Sequence, residues 1–153
     1  MEITAGTPKT MRVRIVSQEE EVFSGEASML LCRSEGGDLG IYPGHSQLLS
    51  LMRPGAVRIK IPEGEEFLLY VSGGILEVQP SMVLILADVI ERPQDVDQFA
   101  AEEAIEAARA FLATKGAGDS SGNSEESAIQ YYQAQQNLAE ASAKLRVLGL
   151  ANA

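Results

Sequence analysis

The chain has 153 residues, of which 45% are hydrophobic, with one cysteine, one histidine and a formal net charge of −10. That length suits one domain, or one small domain with an appendage. The acidic balance excludes a nucleic-acid binder, which needs clustered Lys and Arg to displace counterions; the single cysteine excludes an internal disulfide, and the single histidine a multi-histidine metal site.

Residues 1–10, MEITAGTPKT, have neither a basic start nor an apolar core, so they read as a disordered tail rather than a targeting signal. No later apolar run approaches the roughly 20 residues of a spanning helix, and an acidic surface is repelled by anionic headgroups, so no direct membrane insertion is expected. From residue 11 to 91 apolar residues alternate or come in short runs separated by Gly, Pro or acidic clusters. Strands are predicted at 11–17, 22–23, 27–33, 55–61, 66–72, 75–79 and 82–87, a spacing that suggests a sandwich. Arg12-Val13-Arg14-Ile15 and Val57-Arg58-Ile59-Lys60 put apolar groups on one face and cations on the other. Met29-Leu30-Leu31 and Val83-Leu84-Ile85-Leu86 are apolar on both faces, so they should lie centrally or against a second partner. Pro62-Glu63-Gly64 and Gln79-Pro80-Ser81 read as hairpin turns, and Ser72-Gly73-Gly74 as a kink or bulge.

Within this region, 35–49 (EGGDLGIYPGHSQLL) reads as a loop with turns at Gly36-Gly37, Gly40 and Pro43-Gly44, leaving Leu39, Ile41 and Tyr42 little room to fold inwards. Either those apolar residues meet a partner, or Leu39, Ile41 and Leu48 plug one end of the sandwich. The residues alone leave the two level. Cys32, in an apolar run, reads as a buried structural thiol.

At Pro93 the period changes. A helix is predicted over 95–115, with Ala101, Ala104, Ala108 and Phe111 on one face, acidic residues early, Arg109 and Lys115 late, and Asp95 with Gln98 as a capping box. Residues 115–127 read as a flexible Gly/Ser/acidic linker. In a second helix Tyr131, Ala134, Leu138, Ala141, Leu145 and Leu148 repeat at three- and four-residue steps. Paired antiparallel, the two helices meet through alanine, which buries little surface at roughly 25 cal/mol per Å². The hairpin is therefore either static but weakly held or able to detach. His45 follows Pro-Gly in a turn without a nucleophile elbow, and neither Gly-Gly pair fits a P-loop or dinucleotide fingerprint. No cofactor is expected. The competing readings are a stand-alone nucleotide sensor or a β-sandwich enzyme with a pocket near His45.

Gly40-Ile41-Tyr42-Pro43-Gly44-His45, then Leu48-Leu49, Arg53-Pro54-Gly55, Tyr70-Val71-Ser72-Gly73-Gly74-Ile75-Leu76-Glu77-Val78, Leu86-Ala87-Asp88 and Lys144-Leu145-Arg146-Val147 closely resemble, in this order, the epsilon subunit of bacterial F-type ATP synthase. The resemblance implies a β + α fold: a ten-stranded β-sandwich domain over 11–92 and an antiparallel two-helix hairpin over 93–153. It further implies a non-catalytic, peripheral rotor subunit on the cytoplasmic face of the bacterial inner membrane. Its partners would be the gamma subunit, the c ring and, transiently, the catalytic alpha/beta head.

Carried over by motif, Asp38, Leu39, Gly40, Ile41, Tyr42, Pro43, Gly44 and His45 would meet the c ring, and Ser17 would approach gamma. The hairpin, with Ala101, Ala104, Ala108, Tyr131, Leu138, Leu145, Lys144 and Arg146, would be a regulatory arm that blocks ATP hydrolysis when extended. Only Lys144 and Arg146 are cationic in its last helix, so inhibition is expected to be weak. Family members that bind ATP carry Ile/Leu-Asp-x-x-Arg-Ala at the start of the first helix. Here the run is Val96-Asp97-Gln98-Phe99-Ala100-Ala101 without the arginine, and Glu140 and Lys144 stand in place of the arginine pair of the second helix, so no ATP affinity in the physiological range is expected.

Overall fold

A computed structural model describes residues 10–116 and 125–153. The predicted tail at 1–10 falls outside them except for Thr10, as does the centre of the predicted linker. Ten strands are present: β1 Met11–Val16, β2 Glu21–Ala27, β3 Met29–Ser34, β4 Gly37–Ile41, β5 Leu48–Met52, β6 Gly55–Lys60, β7 Glu66–Val71, β8 Gly74–Gln79, β9 Met82–Ala87 and β10 Ile90–Glu91. A 3-10 turn at Pro93–Asp95 leads to α1, Gln98–Gly116, and α2, Glu125–Ala151, follows.

The strands run in the order β10-β7-β6-β3-β5-β8-β9-β1-β2, with β4 on β3. Between β3 and β5 the ladder narrows to one pair, Ser34 with Met52. The sheet folds there into two layers, β10-β7-β6-β3-β4 and β5-β8-β9-β1-β2. Between them lie the inward residues of both, including Val13, Ile15, Leu30, Ile41, Val57, Ile59, Leu69, Leu76, Val78, Val83 and Ile85, all fully or almost fully buried. The alternation of β1 and β6 is as predicted: Val13, Ile15, Val57 and Ile59 face in, while Arg12 and Arg14 are exposed. Cys32 is buried in the same core, and desolvation pushes its thiol up to about 12, so it stays protonated and inert.

Several boundaries differ from the sequence reading. The stretch 35–49 contains a strand, β4, and the start of β5, with turns at 35–36 and 43–44. Gly40 does not reverse the chain but pairs with Leu31 inside β4, and Ile41 pairs with Leu30 and is fully buried. Of the two readings of that stretch, the plug describes Leu39, Ile41 and Leu48, which belong to or pack on the core, whereas Tyr42 is 57% exposed. Short strands with a glycine at each second or third position lack the alternating pattern that identifies β1, so β4 is invisible to periodicity. The expected capping box is also displaced. Asp95 belongs to the 3-10 turn, and Asp97 caps α1, its Oδ1 accepting the Ala100 N–H at 3.0 Å. The linker is shorter than predicted, because Lys115, Gly116 and residues 125–127 are helical.

Candidate functional site

The surface offers three distinct regions. The first is the end of the sandwich carrying β4 and the turn after it. Asp38 is strongly exposed, its Oδ1 3.9 Å from Arg33 Nε. Tyr42 projects, and the Pro43-Gly44 turn is fixed by two backbone bonds, Gly44 N–H to Pro80 O at 2.7 Å and His45 N–H to Tyr42 O at 3.0 Å. Gly44 takes φ +85°, a left-handed value that glycine accepts without strain. His45 Nδ1 lies 2.7 Å from Ser46 O, so the ring is held on its own backbone. Of the eight residues from Asp38 to His45, the structure brings Asp38, Gly40, Tyr42 and Gly44 to the surface and turns Ile41 inward.

The second region is the outer face of the β5-β8-β9-β1 layer. Leu51 is paired with Ile75, Ile75 with Leu86, and Leu86 with Val16. Paired residues share a face, so these four form one apolar row across four strands. Leu51, Ile75 and Leu86 are 53%, 43% and 47% exposed, and Leu49, one step along β5, is 72% exposed. Periodicity singled out residues 83–86 as apolar on both faces but missed Leu49, Leu51 and Ile75. Their signal is the match of register between strands, which no single segment carries. Ser17 sits beside this layer, its Oγ accepting the Glu19 and Glu20 N–H groups at 3.2 Å to shape the β1-β2 turn.

The third region is the seat of α2 on the outer face of β6 and β7. Ala143 and Val147 pack on Tyr70, with Ala56 and Leu68 around them. Lys144 Nζ reaches Glu91 Oε1 at 2.6 Å and stands 5.3 Å from the centroid of the Tyr70 ring. Tyr70 Oη is buried without a hydrogen-bond partner among the described residues, and its pKa is raised by burial and then by the nearby carboxylates of Glu140 and Glu91. On its other side α2 meets α1 through buried Ala134 and Ala141 against Ala101 and Ala108, with Ala104, Leu138 and Leu145 half-buried. Tyr131 is 39% exposed, so it marks the rim of the expected seam rather than its interior. Arg146 is exposed. Ala143 and Val147 were missed because they lie off the stripe that faces α1; the run Phe67-Leu68-Leu69-Tyr70-Val71, apolar on both faces of β7, is the signal for their seat.

Residues 10–93 match the family described as ATP synthase, Delta/Epsilon chain, beta-sandwich domain. The chain belongs to this family. It is 47% identical over 140 residues to the ATP synthase epsilon chain of Janthinobacterium sp. (strain Marseille), covering 91% of this chain and 93% of that one. It is 48% identical over 140 residues to the ATP synthase epsilon chain of Herminiimonas arsenicoxydans, with the same coverage of 91% and 93%. The fold is similar to a chain in the cryo-EM structure of the Euglena gracilis mitochondrial ATP synthase, OSCP/F1/c-ring in rotational state 1. The TM-score there is 0.72 at 20% identity, over 94% of this chain and 87% of that one. A chain of the Tetrahymena thermophila mitochondrial ATP synthase, central stalk/c-ring, gives a TM-score of 0.60 at 11% identity, over 92% and 97%. Within the delta/epsilon family frame the sandwich is the matched domain, and the similarity to epsilon chains extends beyond it into the hairpin.

Proposed function

We infer that the chain is a non-catalytic central-stalk subunit of a proton-translocating F-type ATP synthase, joining the gamma subunit to the c ring and having no active site of its own. The observation that carries this reading is the apolar row Leu51-Ile75-Leu86-Val16, too hydrophobic and too continuous for a face that stays in water. Gamma would cover it, with Ser17 near its margin. The end bearing Asp38, Tyr42 and Pro43-Gly44 would stand on the polar loops of the c ring. A rotor element transmits torque only if it does not deform, and a closed two-layer core between its two contact surfaces gives that stiffness.

The unit over 11–92 would act as the coupling domain and 93–153 as a regulatory arm, folded on β6-β7 or extended toward the alpha/beta head. The subunit would work peripherally at the cytoplasmic face of the bacterial inner membrane; no helix among the described residues is long and apolar enough to cross a membrane.

Two substitutions separate the contact surfaces. Leu51→Asp places a charge in the apolar row without touching the core and is expected to abolish co-purification with gamma while the free chain stays folded. Undiminished co-purification would sink the assignment of this face. Asp38→Lys reverses a strongly exposed charge and is expected to leave gamma binding intact but to lower ATP-driven proton pumping in the reconstituted complex about tenfold, equivalent to ~1.4 kcal/mol of contact energy. Wild-type pumping by that variant would remove Asp38 from the ring interface.

A further inference from the structure

Leu76 and Val78 are fully buried in the core, so Ile75, Glu77 and Gln79 of β8 point to the outer face of the β5-β8-β9-β1 layer. Glu77 is paired there with Leu49 on β5 and with Leu84 on β9. It is the one charge among the outward residues of those three strands, and it stands one row from Leu51, Ile75 and Leu86. We propose that Glu77 selects the subunit that covers this face, by requiring a cationic side chain of that subunit against its carboxylate. With gamma as the covering subunit, a reading on which this assignment rests, the cation belongs to gamma.

Of the four residues that surround Glu77 on that face, Leu49, Leu84 and Ile75 are hydrocarbon, and residues paired across strands stand with their Cβ atoms about 5 Å apart. The fourth is an amide, Gln79, whose Nε2 donates to Glu77 Oε1 at 3.2 Å. Glu77 enters no ion pair among the described residues. The cations that β1 presents on the same face are committed elsewhere. Arg14, which follows Leu84 in the row, gives Nε and Nη2 to Glu21 at 2.8 and 2.6 Å, and Arg12 Nη2 donates to Ser24 Oγ at 3.1 Å. The half-buried carboxylate therefore has one neutral donor from the chain, and water must serve the rest of its lone pairs while the face is open.

Water is what a covering subunit removes. A carboxylate closed in among leucine and isoleucine without a counter-charge loses its hydration and gains nothing in return, so a partner that brings only apolar groups to this point is rejected. A partner that brings a guanidinium or an ammonium restores the lost bonds with charge-assisted ones, and the low dielectric of the closed interface strengthens them. Gln79 holds Oε1 beforehand, which orients the carboxylate and lowers the ordering cost of the contact. The division of labour follows from the two kinds of group. The row of Leu51, Ile75 and Leu86 attracts apolar surface of many shapes, whereas a single charge inside the apolar face fixes which surface fits and in what register.

The test is surface plasmon resonance of the full chain on the gamma-bearing catalytic complex stripped of its own copy of this subunit, at an ionic strength of about 0.15 M. Glu77→Gln keeps the shape and loses the charge. It is expected to dissociate about thirtyfold faster, with an association rate within about threefold of the wild type, as for a charge desolvated in the complex rather than one at its rim. Glu77→Leu extends the apolar face but strands the partner's cation, and is expected to weaken binding at least as much. Glu63→Gln, in the exposed turn between β6 and β7, removes a charge elsewhere and should bind as the wild type does. Glu77 touches the core with neither carboxylate oxygen, so the free variants should keep the wild-type midpoint of thermal unfolding. If Leu51→Asp abolishes binding while Glu77→Gln dissociates at the wild-type rate, or Glu77→Leu binds more tightly, gamma covers the face but brings no cation to Glu77, and the proposal is overturned alone. Normal binding by Leu51→Asp overturns the covering subunit and the role of Glu77 together.

Discussion

Gly74→Ala is expected to destabilise the sandwich by about 4 kcal/mol or more, placing it among the most damaging single substitutions in the chain. The residue opens β8 with φ +135°, a value that L side chains rarely adopt, and a Cβ built there would stand 2.1 Å from Leu86 O and 2.9 Å from Ala87 Cα. Both atoms are backbone, so no rotamer change relieves the clash. β8 would have to move away from β9, breaking the ladder that begins with Gly74 opposite Ala87. With a typical domain stability of roughly 5–15 kcal/mol, the loss leaves little reserve. The expected reading is a large drop in the denaturant midpoint, followed by far-ultraviolet circular dichroism. Gly149→Ala, on α2 where nothing lies within 4 Å of the added Cβ, is the comparison that should be neutral or slightly stabilising. A midpoint for Gly74→Ala close to that of the wild type would mean that β8 and β9 do not approach as closely as their register implies.

Gly74 also marks what a sequence reveals and what it hides. Ser72-Gly73-Gly74 announces that the backbone does something special there, yet the expected kink within a strand is a crossing between β7 and β8. The choice depends on Leu86 O, twelve residues away. Where a segment buries one face, as β1 and β6 do, alternation alone identifies it and orients it, because the core is the only place for Val13, Ile15, Val57 and Ile59. β4 and β5 are legible only through their neighbours. Their pairing with β3 and β8 is decided by registers set elsewhere, and the apolar row of Leu51, Ile75, Leu86 and Val16 exists only once those registers are in place. The helical hairpin was legible in its α1-facing stripe, which repeats in three- and four-residue steps. Its attachment to the sandwich was not, because that attachment rests on two neighbouring positions, Ala143 and Val147, and on a tyrosine 73 positions before Ala143.

That attachment decides what the arm can do. Val147→Asp is expected to release α2 from the sandwich while leaving the sandwich folded. Val147 is fully buried against Tyr70, and an unpaired carboxylate forced into such a site costs about 3–5 kcal/mol. The forces holding α2 down are smaller than they look. Two small apolar residues supply the contact, at roughly 25 cal/mol per Å². The Lys144–Glu91 pair is short at 2.6 Å, but both side chains keep some solvent access, 29% and 23%, which discounts its Coulombic gain. Tyr70 Oη is left without a partner among the described residues when α2 is docked, a cost of about 1–3 kcal/mol that water would relieve on release. α1 adds no anchor of comparable size, since its main contact is the alanine seam with α2. One buried charge therefore outweighs the seat. The core of the sandwich shares no residue with that seat, so the two should separate cleanly in amide hydrogen exchange: α2 amides lose protection, and those of β1, β8 and β9 keep theirs. Loss of protection in both would mean that the hairpin and the sandwich unfold as one unit, and unchanged α2 protection would mean that the seat is not what holds the arm. In the reconstituted complex the same substitution favours the extended arm, so ATP hydrolysis should fall below that of the wild type. A hydrolysis rate unaffected by a demonstrably released arm would remove inhibition from the roles of this hairpin.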